Sequence, residues 1–249
     1  MKTSQLLAAC SIALVASYSA QAQTPFEDLD FESATLSPAP VNVPTPTFVP
    51  IASALPGWSA SIAGVPVTQV QQNSCDGGQA TIDIFGPNYP TLGNEYPFGQ
   101  GTIDGNYTVF LQSGGNPQGG SVGVNTSIWQ TGTVPANSQS LEFQAWTYSY
   151  LGAFSVSFNG NSLSPVVLSS VANQSGIPVN EYGVNIAQYA GQTGELEFTS
   201  IFTDAPSWTE LDDITFSPNA VPEPNTFVLT GISGICFAFY RWCHRRKTP

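Results

Sequence analysis

Ten short runs rich in β-branched and aromatic residues, separated by Gly, Asn and Pro, restrict this chain to an all-β fold. Such residues favour strands, and Gly, Asn and Pro favour the turns between them. Away from the two termini, helical periodicity is limited to a single turn at residues 186–190. The spacing is typical of an antiparallel β-sandwich or jelly roll. The predicted strands are residues 65–71, 80–85, 107–112, 121–130, 140–148, 153–158, 166–169, 182–186, 194–202 and 210–216.

Three further segments carry local predictions. Residues 26–32 alternate partly between apolar and acidic side chains, which predicts a first strand with its apolar members facing inward. Residues 37–56 are rich in proline, which predicts an extended loop or a sheet-edge segment because proline has no N–H for the ladder. Asn159-Gly160 is the residue pair that a tight β-hairpin favours.

Four short segments together resemble a known family of domains. They are Phe31-Glu32, Leu55-Pro56-Gly57-Trp58, Asp104-Gly105-Asn106-Tyr107 and Leu211-Asp212-Asp213-Ile214-Thr215-Phe216. These segments resemble the galactose-binding-like jelly rolls, a group that includes many carbohydrate-binding modules. The resemblance implies a jelly-roll fold for residues 23–220, and it supports the fold much more than any ligand.

All of the cationic side chains of the chain lie near its two ends. They are Lys2, Arg241, His244, Arg245, Arg246 and Lys247, whereas all but one of the 17 Asp and Glu residues lie between Gln23 and Ala220. Nucleic acid and anionic lipid headgroups are excluded as direct partners of residues 23–220, because neutralising phosphate requires Lys or Arg.

The same absence of cations limits the chemistry of residues 23–220. A Ser-His-Asp triad lacks its His, a Schiff base lacks its Lys, and phosphoryl transfer lacks its cationic clamp. A glycosidase with two carboxylates remains chemically possible, but nothing in the spacing of the acids singles out a pair. We therefore predict that the protein is not an enzyme.

The N-terminus has the pattern of a secretory signal peptide over residues 1–22. Lys2 supplies the positive end, residues 6–16 form the apolar centre, and Ala20-Gln21-Ala22 forms an A-x-A cleavage site. The sequence therefore predicts export through the Sec machinery and a mature chain that starts at Gln23.

The last 29 residues, 221–249, combine three elements in order. Val221-Pro222-Glu223-Pro224 stays extended because proline cannot continue a helix, and the apolar residues near 226–242 predict a transmembrane helix close to the minimum length. The basic tail that follows holds the C-terminus in the cytoplasm. Its members are Arg241, Arg245, Arg246 and Lys247.

This order of elements resembles the PEP-CTERM sorting signal of bacterial exported proteins. The resemblance implies that an exosortase-type membrane peptidase recognises Pro222, Glu223 and Pro224. It further implies transient anchoring in the inner membrane, followed by release to the cell surface or the extracellular space. An ordinary single-span membrane anchor is the other interpretation of the same tail.

Asp212 and Asp213 lie on the last predicted strand, where alternation places Asp212 on the same face as Ile214 and Phe216. A carboxylate that faces a core needs a cation, and residues 23–220 contain none, so the pattern favours bound calcium. The jelly-roll resemblance implies that Glu32, with Asp30, binds the same ion. The alternatives are that these acids are solvated at a strand end, or protonated and hydrogen-bonded.

Trp146 and Tyr148 are the candidate carbohydrate contacts. Alternation along residues 140–148 places both aromatic rings with polar neighbours, although aromatic residues in a sandwich more often belong to the core. The sequence thus predicts a non-catalytic exported protein of the cell surface or extracellular matrix. The alternative is a carbohydrate-binding module that acts on exopolysaccharide.

Overall fold

The computed structural model describes residues 24–37, 46–74, 78–87, 101–120, 122–149, 153–173, 176 and 178–221. The predicted signal peptide, the Pro222-Glu223-Pro224 motif, the apolar segment 226–242 and the basic tail lie outside the described residues. No helix within the described part of the chain has the length and hydrophobicity needed to cross a bilayer.

The regular secondary structure of the described residues is almost entirely β-strand, which confirms the all-β prediction. The helical elements among them are α1 (Ile51–Ala54) and a 3-10 helix (Ala187–Tyr189) at the position of the predicted single turn. The strands are β1 (Thr47–Pro50), β2 (Ser59–Ile62), β3 (Val65–Val67), β4 (Gln69–Gln72), β5 (Thr81–Phe85), β6 (Thr108–Gln112), β7 (Gly114–Gly115), β8 (Gly123–Val124), β9 (Thr126–Thr133), β10 (Ser140–Ser149), β11 (Ala153–Phe158), β12 (Asn161–Leu163), β13 (Val166–Ala172), β14 (Pro178–Asn185), β15 (Thr193–Ile201) and β16 (Ser207–Ser217).

Two large sheets form a β-sandwich. The eight-stranded sheet has the order β1-β4-β5-β6-β16-β10-β14-β13, and the six-stranded sheet has the order β12-β11-β15-β9-β2-β3. Strands β7 and β8 form a separate small ribbon. The predicted antiparallel pairing holds for the other strand pairs of the described chain, but β4 and β5 pair in parallel.

The core lies between the two sheets and is filled by aliphatic and aromatic side chains from both. Phe143 of β10 meets Phe198 of β15 edge to face, with ring centroids 5.4 Å apart. Trp58 packs on Phe198 at 6.2 Å and on Phe31 at 5.6 Å. Burying side chains of this size is the main source of stability, because this part of the chain contains no cation for a salt bridge.

The segment 26–32 forms turns and not the predicted strand. Asp28 and Phe31 have positive φ angles, 49° and 57°, which lie outside the range of a regular β-strand. Phe31 is fully buried against Trp58, so the packing of one aromatic side chain overrides the partial alternation of the segment.

The predicted strand 65–71 is also wrong in one respect, since it divides between the two sheets. β3 pairs with β2 in the six-stranded sheet, whereas β4 pairs with β1 and β5 in the eight-stranded sheet. The chain therefore crosses the sandwich at Thr68, and β-propensity cannot detect such a crossing because both halves remain extended.

Two other local predictions are confirmed. Part of the proline-rich segment forms β1, which lies at an edge of the eight-stranded sheet. Asn159 and Gly160 have φ angles of 50° and 73° and connect β11 to β12, as the two central residues of a tight hairpin require.

Candidate functional site

Strand β16 contains a β-bulge at Asp213, which changes the face on which the predicted acids lie. Asp213 and Ile214 together stand opposite one residue of β10, and Asp213 has a φ angle of 49°. Leu211 and Ile214 consequently both face the core, and Asp212 lies on the opposite face of the sheet. The prediction that Asp212 shares a face with Ile214 and Phe216 is therefore wrong.

Asp212 is nonetheless buried, with 1% of its surface exposed. Its Oδ2 accepts hydrogen bonds from Thr108 Oγ1 at 2.6 Å and from the Asp104 N–H at 3.2 Å. Its Oδ1 accepts from the Asp213 N–H at 2.8 Å. Burial raises the pKa of Asp212 to about 8, because the loss of hydration outweighs these three hydrogen bonds.

Glu32 binds the segment that contains Asp104 and Thr108, two residues that Asp212 contacts. Its Oε1 accepts hydrogen bonds from the main-chain N–H groups of Asn106 at 2.6 Å and Tyr107 at 2.8 Å. Its Oε2 accepts from Asn106 Nδ2 at 2.8 Å. Gly105 has a φ angle of 52°, and a Cβ atom at this position would also collide with the Glu32 carboxylate, so the loop favours glycine here.

Glu32 and Asp212 therefore clamp residues 103–108, which we call the clamped loop. Thr108 Oγ1 also accepts a hydrogen bond from the Ile103 N–H at 2.8 Å, so one hydroxyl joins both ends of this loop to Asp212. The structure thus brings together a segment near the start of the domain, the Asp104-Gly105-Asn106-Tyr107 segment and the last strand, all of which the sequence singled out.

The acids proposed as calcium ligands meet hydrogen-bond donors at this loop. Both oxygens of Glu32 and both of Asp212 accept hydrogen bonds, Asp30 Oδ1 accepts from the Glu32 N–H at 3.4 Å, and Asp213 Oδ2 accepts from Gln144 Nε2 at 2.9 Å. Within the described ranges, no group of three or more Asp, Glu, Cys or His side chains is arranged to hold a metal ion. This arrangement fits the hydrogen-bonded alternative, and the calcium site stays a prediction.

A second group of polar and aromatic side chains covers the outer face of the eight-stranded sheet, the face turned away from the six-stranded sheet. Direct neighbours across β5, β6, β16 and β10 are Asp83, Phe110, Glu210 and Trp146. Phe85 and Phe110 stack at 5.0 Å and, with Trp208, form a small apolar cluster separate from the core. We call Asp83, Phe110, Glu210, Trp146 and Trp208 the outer-face row.

The two carboxylates of the outer-face row are fully buried. Asp83 Oδ2 accepts a hydrogen bond from the Ser74 N–H at 2.9 Å. Two strand spacings separate Asp83 from Glu210, which puts their Cα atoms roughly 9.5 Å apart with Phe110 between them. No spacing along the chain indicates this pair, because Asp83 and Glu210 are brought near each other by the strand order β5-β6-β16.

The structure places Trp146, one of the two predicted carbohydrate contacts, on this same face. Trp146 is half-buried and lies opposite Glu210, and its neighbour on the same face is Gln144, as alternation predicted. Tyr148 lies opposite Trp208 in the register of β10 and β16. Contact with a carbohydrate stays a prediction for both residues.

A shallow cleft of about 510 Å³ opens at one end of the sandwich, between β12 and the 3-10 helix. Every side chain that lines it is uncharged, and most are hydroxyls or amides. The lining residues are Ser162, Leu163, Ser164, Asn185, Ala187 and Gln188. Such a lining offers hydrogen bonds but no group for acid–base catalysis.

Comparison with known proteins adds no family assignment. No protein-family model matches the chain, and no curated protein sequence matches it significantly. The solved enzymatically active domain of Bacteriophage CBA120 tailspike protein 4 aligns with 65% of this chain at 16% identity and a TM-score of 0.32, and the alignment spans 19% of the tailspike chain. Similarity at that level carries no inference about fold or activity.

Proposed function

We propose that this protein is a non-catalytic exported β-sandwich of the cell surface or extracellular matrix, delivered by its PEP-CTERM-like tail. The observation that carries the proposal is the place where the sandwich ends. Strand β16, the last strand of the described residues, ends at Ser217, five positions before Pro222 of the Pro222-Glu223-Pro224 motif. A compact domain that ends immediately before a processing motif is the arrangement expected of cargo with a removable tail.

The residues between β16 and the motif are held against the sheet. Ser140 Oγ donates a hydrogen bond to the carbonyl oxygen of Asn219 at 2.8 Å. Val221 packs over Gly183 of β14, where an added Cβ would lie 3.0 Å from Val221 Cγ2. Cleavage after Val221 would therefore leave the contacts of Asn219 and Val221 with the sheet intact.

The jelly-roll topology of this domain is part of the same proposal.

Removal of the tail is the first expected result. Intact mass spectrometry of protein from the surface or medium fraction should give a mass that corresponds to a chain starting at Gln23 and ending near Pro222-Glu223-Pro224. Replacing Glu223 with Ala should leave the protein in the inner membrane, whereas replacing Glu195 with Ala, an exposed change within the domain, should not. Recovery of the wild-type protein solely in the inner membrane, with Arg245 and Arg246 still attached, would overturn the proposal.

The burial of Asp83 and Glu210 supports the non-catalytic part of the proposal. Asp83 and Glu210 are the carboxylates that the fold places on either side of an aromatic ring, yet neither has exposed surface. A glycosidase needs two carboxylates that contact the substrate. Burial of both acids is consistent with a structural role.

Carbohydrate binding is the second candidate, and the outer-face row favours it. A half-buried indole at Trp146 lies next to the amide of Gln144 on the same strand face. Sugar rings pack their C–H faces on aromatic rings while their hydroxyl groups bind amides and carboxylates, so this combination suits a saccharide. The ligand class would be a neutral polysaccharide, because an acidic one would be repelled by a domain without cations.

A matched pair of tryptophan variants tests this second candidate. Affinity electrophoresis of the exported protein in gels that contain neutral polysaccharide should show retardation, and Trp146→Ala should weaken it roughly tenfold. Trp129→Ala is the control, since Trp129 is a half-buried tryptophan on β9 of the other sheet. Equal loss with both variants, or no retardation of the wild-type protein, would reject carbohydrate binding at Trp146.

A further inference from the structure

The four edge strands of the two sheets share one property, which is that none contains a charged residue. Edge strands expose unpaired N–H and C=O groups, and proteins usually protect them with charges, prolines or short length. Three of the four edges are protected in this way. Strand β1 has four residues and ends at Pro50, β3 has three residues with Pro66 at its centre, and β12 has three residues.

Strand β13 is the longest of these edges, and a register shift at Leu168 is its one protective feature of this kind. It has seven residues, Val-Val-Leu-Ser-Ser-Val-Ala, with neither proline nor charge, and it pairs with β14 on one side. Across the described ranges, no other strand pairs with β13. Val167 is 57% exposed, which is unusual for a β-branched residue within a strand.

One irregularity interrupts β13, and it leaves most of the edge straight. The register with β14 shifts between Val167 and Ser169. The side chain of Leu168, at that shift, packs over Gly183, where an added Cβ would lie 2.9 Å from Leu168 Cδ1. From Ser169 to Ala172 the pairing is regular, so alternate residues of this run direct their N–H and C=O groups away from β14.

Charge determines which partner suits this edge. The chain has a net charge of −12, and its acids lie almost entirely in a domain without cations, so most contacts between two copies would bring carboxylates together. Residues 143–180 contain no charged side chain, and β13 lies within them. The nearest carboxylate on the adjacent strand, Glu181, accepts a hydrogen bond from Ser169 Oγ at 2.7 Å. A second copy can therefore approach along β13 without opposing unshielded carboxylates.

We propose that β13 pairs with β13 of a second copy in antiparallel orientation, which joins two eight-stranded sheets into one continuous sheet. The main-chain groups of both edges would supply the hydrogen bonds, and pairing centred on Ser169 would place each exposed Val167 opposite Val171 of the second copy. This inference concerns assembly. It holds whether or not the tail is processed, and it does not require carbohydrate binding.

Sedimentation equilibrium of the purified exported protein tests the proposal with two matched variants. The wild-type protein should show a concentration-dependent dimer that strengthens as ionic strength rises, because salt screens the repulsion between acidic domains. Val167→Glu should weaken dimerisation at least about tenfold, since it places a carboxylate opposite the apolar Val171 of the second copy and adds to the repulsion between two acidic chains. Val65→Glu is the control, because Val65 is a 47% exposed valine on the protected edge β3.

Two further measurements make the result decisive. The melting temperature of Val167→Glu should match that of the wild-type monomer, which separates loss of pairing from loss of folding. Hydrogen exchange of those amides of residues 169–172 that point away from β14 should slow as the protein concentration rises. The proposal is wrong if the wild-type protein is monomeric up to about 1 mM, or if those amides are equally protected in the monomer. It is also wrong if Val65→Glu, or Phe48→Glu on the edge strand β1, disrupts the dimer and Val167→Glu does not.

Discussion

Raising the pH from about 4 to about 9 should lower the free energy of unfolding of the exported protein by an amount on the order of 5 kcal/mol through the titration of Asp212. The pKa of Asp212 rises from 3.8 to about 8 on folding, because the carboxyl group loses its hydration. Between these two values the folded state holds a proton that the unfolded chain releases. The stabilisation is therefore fully present below about pH 4 and is lost as the pH rises through about 8.

Two other features of the chain act in the same direction. Burial also raises the pKa of Asp28, although hydrogen bonds from Ser33 oppose that rise. The domain contains no Lys, Arg or His, so repulsion among its carboxylates increases as they ionise. This protein should consequently be most stable in mildly acidic solution.

Urea unfolding at a series of pH values, with a chelator present, measures this dependence. Asp212→Asn removes this titrating group, so the total change across the series should shrink by the Asp212 contribution, on the order of 5 kcal/mol. At pH 5 the variant should be less stable by about 1 to 2 kcal/mol, because its NH₂ group faces an N–H donor where an oxygen accepted before. Near pH 9 the order should reverse, since the wild-type protein then carries a buried negative charge.

The control for this experiment is Glu142→Gln, which removes a half-buried carboxylate from the adjacent strand β10 and should keep the slope of the wild-type protein. An Asp212→Asn profile parallel to that of the wild type would contradict the assignment. Repeating the series with calcium tests the predicted metal site, which should raise stability at pH 7 and lose that effect towards pH 4. Identical profiles with calcium and with chelator would reject the metal.

Glu32→Ala should destabilise the protein by about 2 to 4 kcal/mol, the second large effect. The change leaves three donors of the clamped loop without their acceptor, namely the N–H groups of Asn106 and Tyr107 and the Asn106 amide. Hydrogen bonds to a charged acceptor are worth more than those between neutral groups, and two of these donors belong to the main chain and cannot move away.

The conservative variant separates hydrogen bonding from charge. Glu32→Gln keeps one oxygen that can accept from both main-chain N–H groups, so its cost should be about 1 kcal/mol. Urea unfolding gives the energies, and hydrogen exchange of the Asn106 and Tyr107 amides reports the loop directly. Glu195→Ala, at an exposed position of β15, should stay within about 0.5 kcal/mol of the wild type. A Glu32→Ala variant as stable as this control would show that the clamp contributes nothing.

Local sequence pattern located much of the secondary structure. The runs at 80–85, 107–112, 140–148 and 153–158 are strands β5, β6, β10 and β11, and the hairpin at Asn159-Gly160 is present. These features depend on propensity and on turn residues within a few positions, which is why they can be predicted without knowledge of the fold. The absence of cations from the domain likewise required that any buried acid be protonated, hydrogen-bonded or metal-bound.

The sites themselves depend on neighbours that are distant along the chain. Glu32 reaches Asn106 across 74 positions, and Asp212 reaches Thr108 across 104. Asp83 and Glu210 become neighbours because β6 lies between β5 and β16. Strand order decides these contacts, and no periodicity along the sequence records it.

The bulge at Asp213 shows most directly where sequence reasoning ends for this protein. Alternation along 210–216 is a local rule, and from it Asp212 should face the core. One extra residue opposite β10 reverses the phase, so that Leu211 and Ile214 face inward while Asp212 meets the clamped loop on the other face. The sequence by itself determined that the domain is all-β and rich in carboxylates without counter-ions. The tertiary structure decided which carboxylates are buried and what they bind, because register and strand order depend on packing between segments that are far apart in the chain.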